Sequence, residues 1–421
     1  MSQQLIQNVK GTRDFYPEDK AFQNWLYSKM RLVSERFGYQ EFDGPEIEYL
    51  DLYAGKTSEE ILKEQAFTMM DRDDRALMLR PELTPTMARM VAQKARQLIM
   101  PVRWWMFGRA WRYEKPQRGR GREFFQWEVN ILGPESPQAD AEILAMIGMF
   151  FKELGFTPDE IVVRVNDRSY FEQVIRENGI APDKFMPLLR IVDRKEKISG
   201  EEFNALLSEE GLSADQITAL NTFFNDRDYT KSPWLSQVFG ALKKYGDVFD
   251  YVSYDPTIAR GLDYYTRTVF EAWDKTGNLR RAVFGGGRFD NLTATIGGDR
   301  VPGVGFAVGD MGIGEVIEQF GKKPVLTAAK AKVLVTVFKP DMIDTSIEIS
   351  SLLRSNGISA ECWTDGETKL EKQLKYADQK GIGYVVIVGP EESAQNKIIL
   401  KDLNNRTQEL LTADEIIAKL T

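Results

Sequence analysis

The sequence predicts an α+β chain of several domains: strand pairs with flanking helices, a helical insertion, and a smaller α/β unit near the C-terminus. Three stretches lead to this reading. Val102–Gly133 reads as two strands around a basic loop, residues 168–250 as successive helices, and residues 332–421 as alternating apolar strands and amphipathic helices. At 421 residues the chain is long enough for two or three domains, each with its own core.

Taken in order, Pro17 suits the first turn of a long amphipathic helix near Glu18–Phe37, and Gly38 suits its end. A strand is expected in YQEFDGPEIEY, closed by Gly44-Pro45. AFTMMDRDDRALMLR reads as a hairpin with a tight Asp-Arg-Asp-Asp turn, and RPELTPTMARMVAQ starts a helix. After the basic loop, YFEQVIRENGI, EEFNALLSEEGL and ADQITALNTFF form an acidic, Lys-rich helical insertion. Strands resume at Phe249–Tyr254 and run through Arg260–Glu271 and AVFGGGRFDNL. PGVGFAVGDMGIGEVIEQF then reads as a strand followed by a helix. Lys322–Ala331 reads as a linker, beyond which a small α/β domain with a largely parallel sheet is expected. Thr412 and Glu415 have capping-box spacing for the last helix. The expected domains are thus a core over 1–167, the insertion over 168–250, the core resumed over 251–321, the linker, and a domain over 332–421.

Composition narrows the chemistry. Hydrophobic content of 43% and charged content of 28% are those of a soluble globular protein. No apolar run reaches bilayer length and the N-terminal residues form no signal-peptide core, so no membrane partner and a cytoplasmic location are expected. The single cysteine, Cys362, excludes an internal disulfide and a Cys-based zinc site. There is no histidine at all. That removes Ser-His-Asp and Cys-His catalysis, imidazole bases and His-ligated metals together. Chemistry here must run on carboxylates, arginines, lysines, hydroxyls and Mg²⁺, which suits phosphoryl or nucleotidyl transfer.

The net charge of −8 argues against nonspecific nucleic-acid coating, but Arg103, Arg109, Arg112, Lys115, Arg118, Arg120 and Arg122 make a local basic site. A solvated loop is the usual explanation of such a run. Here it is interleaved with Trp104, Trp105, Phe107, Trp111, Tyr113 and Phe124, which a solvated loop does not need. The run RGLDYYTRTVFE, Arg260–Glu271, is equally dense. A turn feeding a strand aims two phenols and a guanidinium at whatever lies over the sheet; the phenols suit a small polar heterocycle, the arginine a phosphate or carboxylate. An ordinary amphipathic strand is the alternative on chemistry alone.

MFGRAWRYEKPQRGRGREFFQWEVNILG resembles motif 2 of the class II aminoacyl-tRNA synthetases, and RGLDYY followed by TVFE resembles the signature of the histidyl-tRNA synthetase family. The resemblance implies an antiparallel sheet flanked by helices, the helical insertion, and an anticodon-binding domain at the C-terminal end. It gives Arg112 the ATP α-phosphate, Glu114 the adenine side, and Phe124 the adenine stack. Arg118, Arg120 and Arg122 fall in the loop that approaches the tRNA acceptor end. Arg260 polarises the α-phosphate and carboxylate, so Arg260 and Arg112 are the implied catalytic pair. Tyr264 and Tyr265 become imidazole-side contacts. RPELTPTMAR matches the family's RPE-x-T segment, so Glu82 and Thr84 hold the α-amino group with Gln126, while Arg80 fixes the turn. GTRDFYPED and the following helix resemble motif 1, which implies a homodimer. The implied partners are L-histidine, ATP with substrate-bound Mg²⁺, and tRNA(His); no resident metal is implied.

Two departures stand out. Asn130 takes the place of the family's usual acid facing the substrate ring, which weakens binding of a cationic imidazole or shifts its pH dependence. Motif 3 usually ends in Gly-x-Glu-Arg, but this chain has Gly309-Asp310-Met311-Gly312, so Gly312 stands where the arginine is expected. Asp310 is a candidate metal ligand in its place. The rival reading is a histidine-sensing regulatory subunit of ATP phosphoribosyltransferase, which is expected to lack the C-terminal domain. A chain that charges histidine yet contains none can also be translated when charged tRNA(His) is scarce.

Overall fold

The computed structural model describes residues 5–54, 59–117, 119–260, 262, 264–277, 282–326 and 328–421. Arg118, Gly261 and Asp263 lie outside the described residues, and with them one loop arginine and most of the expected Gly-Leu-Asp turn. The chain forms two compact units, Met1–Asp14 with Trp25–Lys323, and Phe15–Asn24 with Pro324–Thr421.

Helix α1 (Pro17–Arg36) opens on Glu18 and Asp19 and closes on Arg36, charges that complement its dipole. The single strand expected through Tyr39–Tyr49 is instead two, β1 (Gln40–Glu41) and β2 (Ile47–Tyr49), in different sheets. Pro45 between them has no N–H to continue a ladder. After α2 (Glu59–Glu64), β3 (Thr68–Met70) and β4 (Ala76–Leu79) form the expected hairpin. Asp74 closes its turn at φ 57°, and the Asp71 carboxylate accepts the Asp73 and Arg75 amides at 2.9 Å. Then come α3 (Thr84–Lys94), β5 (Val102–Trp111), β6 (Glu123–Leu132), α4 (Pro137–Glu153) and β7 (Ile161–Asp167).

The helical stretch divides in two. Helices α5 (Arg168–Glu177), α6 (Phe185–Val192), α7 (Gly200–Glu209) and α8 (Ala214–Asn225) share a separate core that includes Phe171, Leu188, Phe203, Leu220 and Phe224. Helix α9 (Pro233–Leu242) packs on α4 instead, and Trp234 Nε1 donates to Asp140 Oδ2 at 2.8 Å. The part with a core of its own therefore ends near Asn225, short of residue 250. The first unit is completed by β8 (Val252–Tyr254), β9 (Thr268–Asp274), β10 (Phe284–Arg288), α10 (Leu292–Thr295), β11 (Gly303–Gly309) and α11 (Asp310–Gln319).

Its main sheet has the order β1-β5-β6-β11-β10-β9-β7-β8, antiparallel from β5 to β7 and parallel only at the β1–β5 and β7–β8 edges. This is the α+β class the sequence predicts. Side chains alternate across β6, so Trp127 enters the core against Phe150 and Phe306, with ring centroids 4.7 and 4.9 Å away. Gln126, Glu128 and Asn130 take the opposite face.

The second unit contains β12 (Val333–Val335), α12 (Ile343–Ser355), β13 (Ala360–Cys362), α13 (Leu370–Lys380), β14 (Tyr384–Ile387), α14 (Pro390–Ala394), β15 (Ile398–Asp402), β16 (Thr407–Leu411) and α15 (Ala413–Leu420). The sheet, ordered β13-β12-β14-β15-β16, is not largely parallel: β14–β15 and β15–β16 are antiparallel. Strand β16 escapes the apolar pattern because its sequence, TQELL, is mostly exposed and polar; a turn with Arg406 at φ 56° delivers it to the edge. The expected capping box forms, with the Glu415 carboxylate accepting the Thr412 amide at 2.8 Å.

Candidate active site

A cavity of about 270 Å³ lies over the Gln126–Asn130 face of the sheet. Its floor is bare backbone. A Cβ on Gly285 would sit 2.3 Å from the Arg260 guanidinium, one on Gly287 would sit 2.9 Å from the Tyr265 ring, and one on Gly305 would sit 2.1 Å from Asn130 Oδ1. Gly287, Gly305 and Asn130 lie side by side across β10, β11 and β6. The glycines thus let three side chains rest directly on the sheet.

Arg260 itself has φ 59°, a region that non-glycine residues rarely enter. Buried Arg168 holds that conformation, donating to the carbonyls of Ala259 at 2.8 Å and Tyr265 at 3.1 Å, and also to that of Arg260. The Arg260 side chain crosses Gly285 to donate from Nη1 to Glu271 Oε1 at 2.8 Å. Burial opposes its charge most strongly of any one influence, but Glu271 together with Tyr265 and Tyr264 raises the guanidinium pKa above its ordinary value. Arg260 Nε is buried without a hydrogen-bond partner among the described residues.

One wall comes from the turn into α3. Arg80 is fully buried and donates to the carbonyls of Arg109 at 2.7 Å and Gly44 at 2.8 Å, so it fixes the turn that carries Glu82 and Thr84. Tyr264 donates to Glu82 Oε2 at 3.1 Å; burial and then the Glu82 charge push its phenol well above the usual range. Across the floor, Gln126 Oε1 is buried and lacks a partner among the described residues.

The β5–β6 loop adjoins that turn: the Trp111 amide donates to the Arg80 carbonyl at 2.9 Å. Arg112 donates to the Pro81 carbonyl at 2.9 Å, and its guanidinium lies 5.4 Å from the Phe124 ring centroid. Glu114, also on the wall, pairs with Arg120 at 2.9 Å. The basic segment is therefore several things at once. Arg103 and Arg109 make structural pairs with Glu142 and Glu123, at 3.0 and 3.1 Å. Arg122 lies over Tyr113 at 3.7 Å rather than lining the cavity, and Lys115 is exposed.

Glu82, Thr84, Arg112, Glu114, Arg120, Phe124, Gln126, Asn130, Arg260, Tyr264 and Tyr265 all line this one space. Gly312 lines it too, with open space where a Cβ would stand. Asp310 is no open metal ligand: Oδ2 accepts from Arg13 and Oδ1 from the Phe125 amide, at 2.8 and 2.9 Å. Burial pushes that carboxyl up, against the pull of Arg13 and the amide.

Sequence reasoning missed Glu128. It is fully buried on the site face, beneath Gln126 and Asn130, and its Oε1 accepts from Asn130 Nδ2 at 2.7 Å. Burial, reinforced by Glu82 and opposed by the Asn130 and Thr84 hydrogen bonds, pushes its carboxyl up to about 8. Counting in twos along β6 from Gln126 was the available signal.

A family model described as "Histidyl-tRNA synthetase" matches residues 11–311, and one described as "Anticodon binding domain" matches residues 332–421. The chain is 36% identical to a histidine–tRNA ligase of Thermoplasma volcanium over 98% of its own length and 97% of the relative's. It is 34% identical to one from Leptospira biflexa over the same shares of the two chains. A crystal structure of histidyl-tRNA synthetase from Nostoc sp. PCC 7120 has the same fold, with a TM-score of 0.83 and 24% identity over 99% of this chain and all of that one. With a family model spanning most of its length and near-full-length relatives above 30% identity, the chain belongs to the histidyl-tRNA synthetase family.

Proposed function

We propose that the cavity joins L-histidine to ATP, and that the chain then passes the histidyl group to tRNA(His), as an aminoacyl-tRNA ligase. The observation that carries this reading is convergence: three motifs far apart in sequence line one space, bringing carboxylates and arginines together in it. Glu82, Thr84 and Gln126 take the α-ammonium, and Tyr264 keeps Glu82 in place. Tyr265 and Asn130 flank the ring. Arg112 and Phe124 grip the nucleotide, and Arg260 faces the reacting carboxylate and α-phosphate.

In the first step a histidine carboxylate oxygen attacks the α-phosphorus, its bond to pyrophosphate breaks, and histidyl-adenylate forms. In the second a ribose hydroxyl of the terminal tRNA adenosine attacks the acyl carbon and AMP leaves. Arg112 and Arg260 neutralise the charge that builds on the phosphate, and the walls hold the reactants in line. Mg²⁺ arriving on the nucleotide supplies further charge neutralisation; such an ion keeps much of its water and takes one or two carboxylates, for which Glu114 is at hand. Arg118, Arg120 and Arg122 serve the tRNA acceptor end, and residues 332–421 serve the anticodon.

The active form is a cytoplasmic homodimer. Exposed Ile47, Tyr49, Met69 and Met70 on the small β2–β4–β3 sheet support a self-association surface. Sedimentation of the purified protein checks it: twice the chain mass is expected, and a monomer at micromolar concentration contradicts it.

Histidine-dependent ATP–pyrophosphate exchange tests the reaction. Wild-type protein should exchange, and Arg260→Ala should lose at least ~100-fold in rate while histidine binding changes far less. Folded protein without exchange would favour the regulatory-subunit reading, against which stand the phosphate-side arginines and the matched C-terminal domain.

A further inference from the structure

The ring-facing end of the cavity contains an amide, Asn130, where charge was expected, and a buried acid directly behind it. Register places Glu128 opposite Ala307 and Asn130 opposite Gly305, so both side chains rise from β6 on the cavity face. Asn130 lines the cavity, whereas Glu128 does not reach it. The two are joined by the bond from Asn130 Nδ2 to Glu128 Oε1 at 2.7 Å.

That bond decides which way the amide points. With Nδ2 committed to Glu128, Oδ1 turns to the space above Gly305, which only a glycine leaves open. The flipped amide would set Oδ1 against a carboxyl oxygen and leave two N–H groups over the glycine. An ionised Glu128 offers only acceptors and so fixes the amide; the protonated acid keeps the same orientation with its proton on Oε2 and Oε1 left as the acceptor. Glu128 Oε2 is buried and makes no hydrogen bond of good geometry among the described residues.

We propose that Glu128 is a positioning residue for side-chain recognition: by holding Asn130 Nδ2 it presents Oδ1 as the acceptor for a ring N–H of bound histidine. The proposal rests on the histidine-activating reading above. It gives the chain a two-residue device, an acid behind an amide, at the end of the pocket that selects the substrate. Polarisation along the hydrogen-bonded pair strengthens Oδ1 as an acceptor.

A double-mutant cycle on the full chain tests it by pyrophosphate exchange. Glu128→Met should raise KM for histidine about tenfold, the worth of one well-made hydrogen bond, with kcat and KM for ATP within about twofold. Asn130→Ala should raise KM for histidine by a similar factor, and adding Glu128→Met to it should change nothing further. Unchanged KM in Glu128→Met, multiplying effects in the double variant, or parallel losses in kcat and KM for ATP would each overturn the proposal. Should Glu128→Met fail to fold, the nearly isosteric Glu128→Gln takes its place: its amide competes for both orientations of Asn130, so KM for histidine should rise about threefold, and only where Asn130 is present. A binding readout follows from composition. The chain contains no histidine, so every imidazole signal in a sample with ¹⁵N-histidine belongs to the ligand. The ring ¹⁵N shift of bound histidine should move on Glu128→Met; an unmoved shift refutes the device. Wild-type protein that neither binds nor exchanges histidine would instead bring down the parent reading.

Discussion

At the residue scale the site is a set of tight exclusions. Gly285 has no room for a methyl group, because Arg260 occupies it. Gly285→Ala should therefore cut the exchange rate by at least ~100-fold through a displaced guanidinium, with a melting temperature that shifts by only a few degrees. Gly312 is the opposite case, an open position on the cavity wall. Gly312→Arg should lower KM for ATP up to about tenfold, since one charge-assisted hydrogen bond is worth ~1.5–3 kcal/mol; an unchanged or higher KM would show that the space is not on the phosphate side. Glu128 makes a prediction about pH. Its carboxyl is raised from 4.5 to about 8 in the fold, so between those values the native state binds more protons than the unfolded one. Stability then falls as pH rises through that window, by at most ~1.4 kcal/mol per unit. Thermal melts of wild type and Glu128→Gln should diverge from pH 5 to pH 8, with the variant gaining; a constant difference would refute the raised pKa. Most of these contacts were legible as residue types and order, from Glu82 to Tyr265. Glu128 was legible only as a residue sharing the face of Gln126 and Asn130 by period two; its burial behind the Asn130 amide depends on strand packing.

At the element scale, function depends on segments that carry no chemistry. Helix α5 begins at Arg168, whose guanidinium gathers the carbonyls around Arg260 and keeps that residue in its left-handed conformation. Arg168→Met should cost both stability, by roughly 2–4 kcal/mol for several lost buried hydrogen bonds, and exchange activity. Activity retained at a lowered melting temperature would separate Arg168 from the site. This link joins the first helix of the insertion to the catalytic sheet and was invisible in the sequence, where Arg168 and Arg260 are far apart. Period and turn chemistry did reveal the β3–β4 hairpin, α3, α11 and the last capping box. They failed where long-range pairing decides. Strand β16 is polar and survives as an edge, and α9 looks like its helical neighbours but belongs to the core by way of Trp234 and Asp140.

At the scale of the whole molecule, binding to tRNA should be dominated by phosphate contacts made by a chain whose net charge is −8. Affinity should therefore fall at least tenfold between 50 and 200 mM salt, roughly the loss expected when a few phosphates are neutralised locally. A flat response would remove the basic loop from the interface. Cells starved for histidine should keep making this histidine-free chain while histidine-containing proteins decline, which pulse labelling can follow; a parallel decline would refute the advantage.

The glycine floor has a genetic consequence. At Gly285, Gly286 and Gly287 every missense change adds at least a Cβ, and each Cβ meets an atom closer than 3 Å. No conservative allele exists at these codons, so in a saturation library they should survive only as synonymous changes. Drift can reach the pocket's walls but not its floor, and a lineage that altered what this enzyme charges would have to do so through side chains such as Asn130, above a strand it could never edit.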